Sequence, residues 1–132
     1  MKEFSLKIVT PDGEVYSGGA ESLSVYTDDG VVEILADHVE YMASLGTGRT
    51  RVKISGENRY AATSGGFLTF SKNEATLVAT TFEFSDEIDL ARAEAAKQKA
   101  EELITKAKDD KALALAKAKL MRALNRIKVA KE

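Results

Sequence analysis

The sequence predicts a β + α protein: an N-terminal antiparallel β-sandwich over residues 1–84, followed by a C-terminal two-helix antiparallel hairpin over residues 85–132. In the first part, apolar and polar residues alternate with the period of half-buried strands. Turn-forming residues separate these runs at short intervals. From residue 86 onward there is no glycine or proline, and the commonest residues are Ala, Lys, Glu and Leu, which are strong helix formers.

The first strand is predicted where Phe4, Leu6 and Ile8 alternate with polar residues. A turn follows at 10–13 (TPDG), where proline presets φ and glycine is free to take a positive φ. Many short strands with no helical pattern between them indicate a sandwich or a flattened barrel. The further predicted strands are Ser22–Thr27, Val31–Leu35, Arg49–Ile54, Arg59–Thr63, Phe67–Phe70 and Thr76–Phe82.

The segment Ser64-Gly65-Gly66 between two of these strands is the closest approach to a phosphate-binding loop in the sequence. It lacks the Gly-Lys-Ser/Thr that ends such a loop, and the residues before it have the pattern of a strand. We therefore expect either a tight turn or a place where two strands approach closely.

Two helices are predicted in the second part, from about Glu87 to about Lys106 and from about Lys111 to Val129. Ser85 is the expected cap of the first helix, because acidic residues follow it in the first turn, where the helix dipole favours them. Asp109 or Asp110 is the expected cap of the second. The apolar stripes are Ala93, Ala96, Ala100, Leu103 and Ala107 on the first helix, and Leu113, Ala116, Leu120, Ala123, Leu124 and Ile127 on the second.

Because these stripes are rich in alanine, they bury little apolar area at ~25 cal/mol per Å². We expect a marginally held hairpin that closes on itself or opens onto a partner; a flexible tail is the alternative.

The net charge also differs between the two parts of the chain. Residues 1–85 have a net charge of −5 and residues 86–132 of +3, with six basic residues and no acidic one in 112–131. A basic tail of this kind is suited to an anionic partner.

Composition excludes several classes of protein. The chain has no cysteine, so it has neither a disulfide framework nor a thiolate metal site. No apolar run approaches the ~18 residues of a membrane span, and the N-terminus lacks the features of a signal peptide. A soluble cytoplasmic protein is the simplest interpretation, and docking onto a membrane complex stays open.

The sequence contains no residue pattern typical of a catalytic site. His38 is the only histidine and has no cysteine or second histidine to complete a site, so we expect it to be structural. No catalytic residue, protein-bound metal or catalytic cofactor is predicted. Nucleic-acid binding is disfavoured because the basic stretch has no interleaved aromatics.

The helices contain one candidate binding constellation. Arg122 and Arg126 are four apart and share a helical face, and Asp89 and Arg92 are three apart on the first helix. In a closed hairpin these three arginines converge into a fork for phosphate oxygens, with Asp89 orienting Arg92 or accepting bonds from a sugar or base. A solvated charged face with an intrahelical Asp–Arg pair is the alternative interpretation.

The order of segments along the chain resembles the epsilon subunits of F-type ATP synthases. Five segments carry the resemblance at the family's spacing: FSLKIVTPDG (4–13), VVEILADH (31–38), YAATSGGFL (60–68), LVA (77–79) and IDLARA (88–93). Three departures touch the loop chemistry at one end of the sandwich. Ala36-Asp37 replaces the usual Pro-Gly, Val39-Glu40 replaces a common Ala-Pro, and Thr69 stands where an acidic residue is common.

The resemblance implies a peripheral, non-catalytic rotor subunit on the cytoplasmic face of the bacterial cell membrane. In this family the sandwich binds the gamma subunit and the ring of c subunits. The helices extend toward the alpha and beta subunits to oppose ATP hydrolysis, and fold down to permit turnover. Proton or sodium coupling stays open.

Some bacterial members bind ATP in the folded hairpin through an I/L-D-x-x-R-A motif, which IDLARA matches. ATP is therefore the expected regulatory ligand, with the role of Mg²⁺ left open. An ATP-insensitive hairpin, a stand-alone nucleotide sensor and a structural adaptor remain alternatives. By resemblance the ATP-binding residues are Glu83, Ile88, Asp89, Arg92, Ala93, Lys99, Arg122 and Arg126, with lysine at 99 where arginine is frequent.

Overall fold

The computed structural model describes residues 2–131 and contains two compact units, Met1–Phe84 and Ser85–Glu132. The first is a β-sandwich and the second a pair of helices, which confirms the predicted fold class. No helix in the described chain is long and apolar enough to span a membrane.

Eight strands build the first unit in the order β2-β1-β8-β7-β6-β3-β4, with β5 paired to β7. All pairs are antiparallel except β1 with β8, which is parallel. The strands are β1 Phe4–Thr10, β2 Gly13–Ala20, β3 Ser22–Thr27, β4 Gly30–Leu35, β5 Tyr41–Ser44, β6 Gly48–Ile54, β7 Glu57–Ser71 and β8 Glu74–Phe84.

The long strand β7 lets one hydrogen-bonded sheet form both layers of the sandwich. Its first half pairs with β6 and its second half with β5, while β8 runs along its other edge. Side chains from the two ends of the sheet order, such as Ile8 and Leu77 near one end and Ile34 near the other, are 0% exposed and belong to one core cluster. The sheet therefore folds over a single shared core.

Gly65 and Gly66 lie where β7 exchanges β6 for β5 as its partner. Both have positive φ angles, +71° and +98°. A Cβ at Gly66 would overlap the carbonyl oxygen of Val78 on β8. The predicted close approach of two strands is confirmed. The alternative of a tight turn is wrong, because β7 runs through this point and joins the two strands predicted on either side of it.

Two strands escaped prediction, β2 and β5. β2 has the sequence GEVYSGGA and buries only Ala20 fully, while β5 has four residues and leaves Met42 73% exposed. β2 ends the strand order and β5 pairs with β7 alone, so both are edge strands. Hydrogen bonding to a neighbour holds them in place, and the sequence pattern does not report it.

The second unit begins with a short 3₁₀ turn, Ser85–Glu87, followed by α1 (Leu90–Lys106) and α2 (Asp110–Ala130). The predicted cap at Ser85 is wrong. Asp89 caps α1, with its Oδ1 accepting the Arg92 backbone N–H at 3.1 Å. Asp109 caps α2 as predicted, accepting from the Ala112 N–H at 2.7 Å.

Alanine dominates the interface between the helices. The fully buried residues of α1 are Ala93 and Ala100, and those of α2 are Ala116, Ala123 and Val129. Three members of the predicted stripes, Ala96, Leu103 and Leu124, are exposed. The fully buried part of each stripe is thus narrower than predicted, because most of the larger side chains of the two helices are half-buried or exposed.

Candidate functional site

A groove of about 180 Å³ lies between α1 and α2. The walls contain four basic side chains and no acidic one. Small or apolar side chains make up the rest. The lining residues are Ala96, Lys99, Ala100 and Leu103 from α1, with Lys119, Arg122 and Arg126 from α2.

The helical repeat explains why the α2 cations line the same groove. Lys119, Arg122 and Arg126 follow one another at spacings of three and four, which places them on one face of α2. Lys99 faces them from α1. Ala100 is 1% exposed and brings the helices close together. Small residues at the base and long cations at the rim make a concave site for an anion.

Helical spacing extends the basic flank beyond the groove. Arg92 precedes Lys99 by seven residues and Lys106 follows it by seven, so both point to the same side of α1. Of the acids of α1, Glu94 and Glu101 fall on other faces at 100° per residue, whereas Glu102 lies three residues after Lys99 and four before Lys106 and shares their face. Cations still outnumber acids along this side of the hairpin, which favours a positive potential there.

The eight residues predicted for the site occupy different places. Lys99, Arg122 and Arg126 line the groove together. Arg92 is exposed in the first turn of α1, two turns before Lys99. Asp89 caps that helix. Ile88 is half-buried just before the cap, and its N–H contacts the Ser85 carbonyl at 3.5 Å.

Ala93 and Glu83 have surroundings that the motif did not indicate. Ala93 is 4% exposed, so it packs in the helix interface and its side chain is covered. Glu83 lies on β8, in the sandwich unit, where it is half-buried.

The predicted intrahelical Asp–Arg pair is a different interaction in the structure. The Asp89 carboxylate accepts from the backbone of Arg92, and the Asp89 backbone already has extended angles, φ −81° and ψ 102°. Asp89 is thus a helix cap, which fixes where α1 begins and hence where the Arg92 side chain leaves the helix.

Both halves of the chain match models of known protein families. Residues 3–85 match the beta-sandwich domain of the ATP synthase delta/epsilon chain, and residues 86–131 match its long alpha-helix domain. The chain belongs to the ATP synthase delta/epsilon chain family. Among its relatives is the ATP synthase epsilon chain of Pediococcus pentosaceus, 46% identical, with 96% of this chain and 94% of the relative aligned. The ATP synthase epsilon chain of Bacillus velezensis is 41% identical over 98% of each chain.

Chains in two solved structures share the fold at much lower identity. A chain in the Euglena gracilis mitochondrial ATP synthase (OSCP/F1/c-ring) superposes with a TM-score of 0.83 at 17% identity, covering 98% of this chain and 82% of that one. A chain from the Tetrahymena thermophila mitochondrial ATP synthase central stalk and c-ring gives a TM-score of 0.65 at 11% identity, covering 98% and 97%. At these identities the likeness concerns the fold alone.

The loop between β4 and β5 contains two of the departures from the family pattern. Asp37 adopts a positive φ of 68°, which glycine takes at no cost and aspartate tolerates. Lys2 Nζ donates to both Asp37 carboxylate oxygens, at 2.7 and 3.0 Å, and Asn73 Nδ2 donates to Oδ1 at 2.9 Å. The Lys2 hydrogen bond, followed by that of Asn73, lowers the pKa of Asp37 below its ordinary value. The Asp37 carboxylate thus accepts hydrogen bonds from Lys2 and Asn73 that glycine could not accept.

His38, next in the same loop, has the structural role predicted for it. Its ring packs edge-on against Tyr41 and Phe70, each at a centroid distance of 5.8 Å. Its Nδ1 lies 2.8 Å from the Val39 carbonyl oxygen. Among residues 2–131, no group of three or more histidine and acidic side chains is arranged to hold a metal ion.

Lys119 is the groove residue that sequence reasoning missed. The signal was present, because Lys119 is three residues before Arg122 and seven before Arg126. Lys119 was not among the predicted site residues because those residues followed the family pattern, which does not include this position.

Proposed function

We propose that this chain is the epsilon subunit of a proton- or sodium-translocating F-type ATP synthase, a non-catalytic part of the central rotor stalk. In this role the sandwich joins the gamma subunit to the ring of membrane-embedded c subunits. The supporting observation is that both family domains occur in order and together match residues 3–131. Named epsilon chains from bacteria also align over nearly the full length of the chain.

We further propose that the hairpin senses ATP through its basic flank. Lys99, Arg122 and Arg126 bind phosphate oxygens, because guanidinium groups match the geometry of phosphate and an acid-free groove does not repel it. Arg92 extends this flank toward the start of α1. The second carboxylate oxygen of Asp89, Oδ2, accepts from the sugar or the base while Oδ1 caps the helix.

The alanine interface is what makes such a ligand effective. An interface that buries mainly methyl groups holds the closed hairpin weakly. A ligand bound only to the closed form adds RT ln(1 + [L]/Kd), about 2.7 kcal/mol when ATP is at a hundred times its Kd. Abundant ATP therefore keeps the hairpin closed.

When ATP is scarce, the hairpin opens and its cations become available to another anionic surface. We propose that this surface consists of acidic segments of the alpha and beta subunits, with which the extended helices oppose ATP hydrolysis. Opposite potentials favour such an encounter and speed it. ATP and the catalytic head then compete for the same basic residues, and the outcome follows the ATP concentration.

Calorimetric titration of ATP into the full chain tests the sensor, with Arg92→Ala, Arg126→Ala and Lys117→Ala in parallel. Lys117 is an exposed cation of α2 outside the groove, which makes it a charge-matched control. We expect one-to-one binding that is weakened about tenfold or more in both arginine variants, the loss of a charge-assisted hydrogen bond. The control should stay within about twofold of wild type. Absence of binding at millimolar ATP would remove the sensor.

Co-purification tests the rotor assignment independently. A tagged chain expressed in a bacterial host should bring down the gamma subunit and the c-ring. Recovery of the chain alone, with ATP binding intact, would favour a stand-alone nucleotide sensor.

A further inference from the structure

We propose that Lys119 is a further phosphate-binding residue of the hairpin groove, and that with Lys99 it holds the end of a polyphosphate chain farthest from Asp89. This inference rests on the proposed function for the nucleotide and adds a residue outside the IDLARA motif. It assigns Lys119 and Lys99 to the terminal phosphate, and the arginines to the phosphates nearer the sugar.

Lys119 is part of the groove wall and not only of its surroundings. It lines the same cavity as Lys99, Arg122 and Arg126. Spacings of three and seven put it on the arginine face of α2. Lys117, two residues earlier, is turned away by 200° and does not line the groove. Two neighbouring lysines of one helix thus differ in whether they reach the site.

The hairpin register places Lys119 along the groove. α1 ends at Lys106 and α2 begins at Asp110, so the helices run back along each other from that turn. The buried pairs Ala93/Ala100 and Ala116/Ala123 have the same spacing of seven, which matches Ala93 facing Ala123 and Ala100 facing Ala116. In this register Lys119 lies level with residue 97, between Ala96 and Lys99.

The same register orders the cations from the capped end of α1 toward the loop. Arg126 comes first, level with residue 90, followed by Arg92 and Arg122. Lys119 and Lys99 come last. A nucleotide whose sugar or base is bound at Asp89 therefore runs its phosphates past the arginines and ends between the two lysines. Asp89 and Lys99 are ten residues apart, about 15 Å along a helix.

The pairing also offsets the lysine at position 99. Lysine presents a single ammonium where arginine presents a fork of donors. A second ammonium from the opposite helix supplies donors from another direction to the same phosphate. With Lys119 present, the terminal phosphate is contacted by one ammonium group from each helix.

Calorimetry of the full chain tests the assignment with ATP, ADP and inorganic tripolyphosphate as probes. The variants are Lys119→Gln, Lys119→Arg and the control Lys117→Gln, with far-UV circular dichroism confirming equal helix content. We expect Lys119→Gln to weaken ATP and tripolyphosphate about tenfold, and ADP less than about threefold, because ADP lacks the phosphate at that level. Lys119→Arg should retain ATP binding, and the control should stay within about twofold of wild type.

Each contrary outcome identifies which claim fails. If wild type binds ATP and Lys119→Gln matches the control, the role of Lys119 is overturned and the sensor stands. An equal loss for ATP and ADP would overturn the assignment to the terminal phosphate. If tripolyphosphate binds in a Lys119-dependent way while ATP does not bind, the groove residue stands and the nucleotide sensor fails. Failure of wild type to bind either ATP or tripolyphosphate overturns both.

Discussion

The sandwich and the hairpin are both closed by apolar contacts, but the side chains in those contacts differ in size. The sandwich core contains Phe70, Leu6, Ile8 and Leu77, all 0–2% exposed. The fully buried side chains of the two helices, 0–4% exposed, are four alanines and one valine. A buried leucine or phenylalanine contributes ~1.5–3 kcal/mol, and a methyl group much less. We therefore expect the sandwich to be the more firmly folded part, and we propose that the hairpin is the part that a ligand controls.

The charges are organised differently as well. Surface cations of the sandwich lie beside acids, as in Arg51–Glu33 at 3.0 Å and Lys2–Asp37 at 2.7 Å. The hairpin groove gathers four cations with no acid in its wall. We propose that an anionic ligand bound among these cations favours closure of the hairpin.

Core truncation should separate the two regions most strongly. Leu77→Ala removes a 0% exposed side chain from the sandwich and should lower the free energy of unfolding by ~2–5 kcal/mol. Leu103→Ala removes the same atoms from a 36% exposed position on α1 and should cost less than ~1 kcal/mol. Urea unfolding followed by circular dichroism measures both. Equal losses would show that the hairpin is as firmly packed as the sandwich.

Gly66, where β7 closely approaches β8, should be the most sensitive backbone position of the sandwich. Gly66→Ala forces a Cβ onto the Val78 carbonyl at a positive φ and should cost ~2–3 kcal/mol. Gly56→Ala, also at positive φ but with open space around it, isolates the conformational cost and should lose ~1 kcal/mol. Thermal unfolding of the pair gives the difference. Equal stabilities would mean that β7 shifts to accommodate the methyl group.

The cap at Asp89 should act on the hairpin alone. Asp89→Ala leaves the Arg92 N–H without its acceptor and should destabilise the start of α1 by ~1 kcal/mol. Hydrogen exchange without nucleotide should speed up in the first turn of α1 and stay unchanged in β1 and β8. Glu87→Ala, before the helix, is the control. Faster exchange in the sandwich of Asp89→Ala would contradict the independence of the two regions.

Loss of the hydrogen bonds to the Asp37 carboxylate should have the smallest effect on stability, since the groups involved are exposed. The pKa of Asp37 is lower in the folded protein than in the unfolded chain. Its contribution is thus present above the unfolded value of ~3.9 and is lost as pH falls through the folded value. Asp37→Asn keeps the left-handed backbone accessible and removes the charge. The stability difference from wild type should appear at pH 6 and vanish in strong acid; a difference independent of pH would exclude the Lys2 interaction as its source.

The sequence predicted most of the fold because most of it depends on local pattern. Alternation located six of the eight strands, counting β7 as one, and a capping aspartate located the start of α2. The misses depend on tertiary partners. β2 and β5 are strands only because a neighbour binds them, and Asp89 displaced Ser85 as the cap because a 3₁₀ turn intervenes.

The candidate site was partly predictable in the same sense. Helical spacing alone grouped Arg122 with Arg126, and the resemblance added Lys99 from the other helix. Closure of the hairpin then brings all three to one groove. The burial of Ala93 depends on the register of the two helices, which no spacing within one helix reveals. Lys119 was predictable from the same helical spacing, since it lies three residues before Arg122.

The central claim is that ATP holds closed a hairpin that its own packing holds weakly, and hydrogen exchange of the full chain with and without ATP tests it most directly. Without ATP, amides of α1 and α2 should exchange much faster than those of β7 and β8. With ATP at a hundred times its Kd, the helices should slow by about 100-fold while the strands stay unchanged. Helices as protected as the strands without ATP, or unchanged by saturating ATP, would contradict the claim.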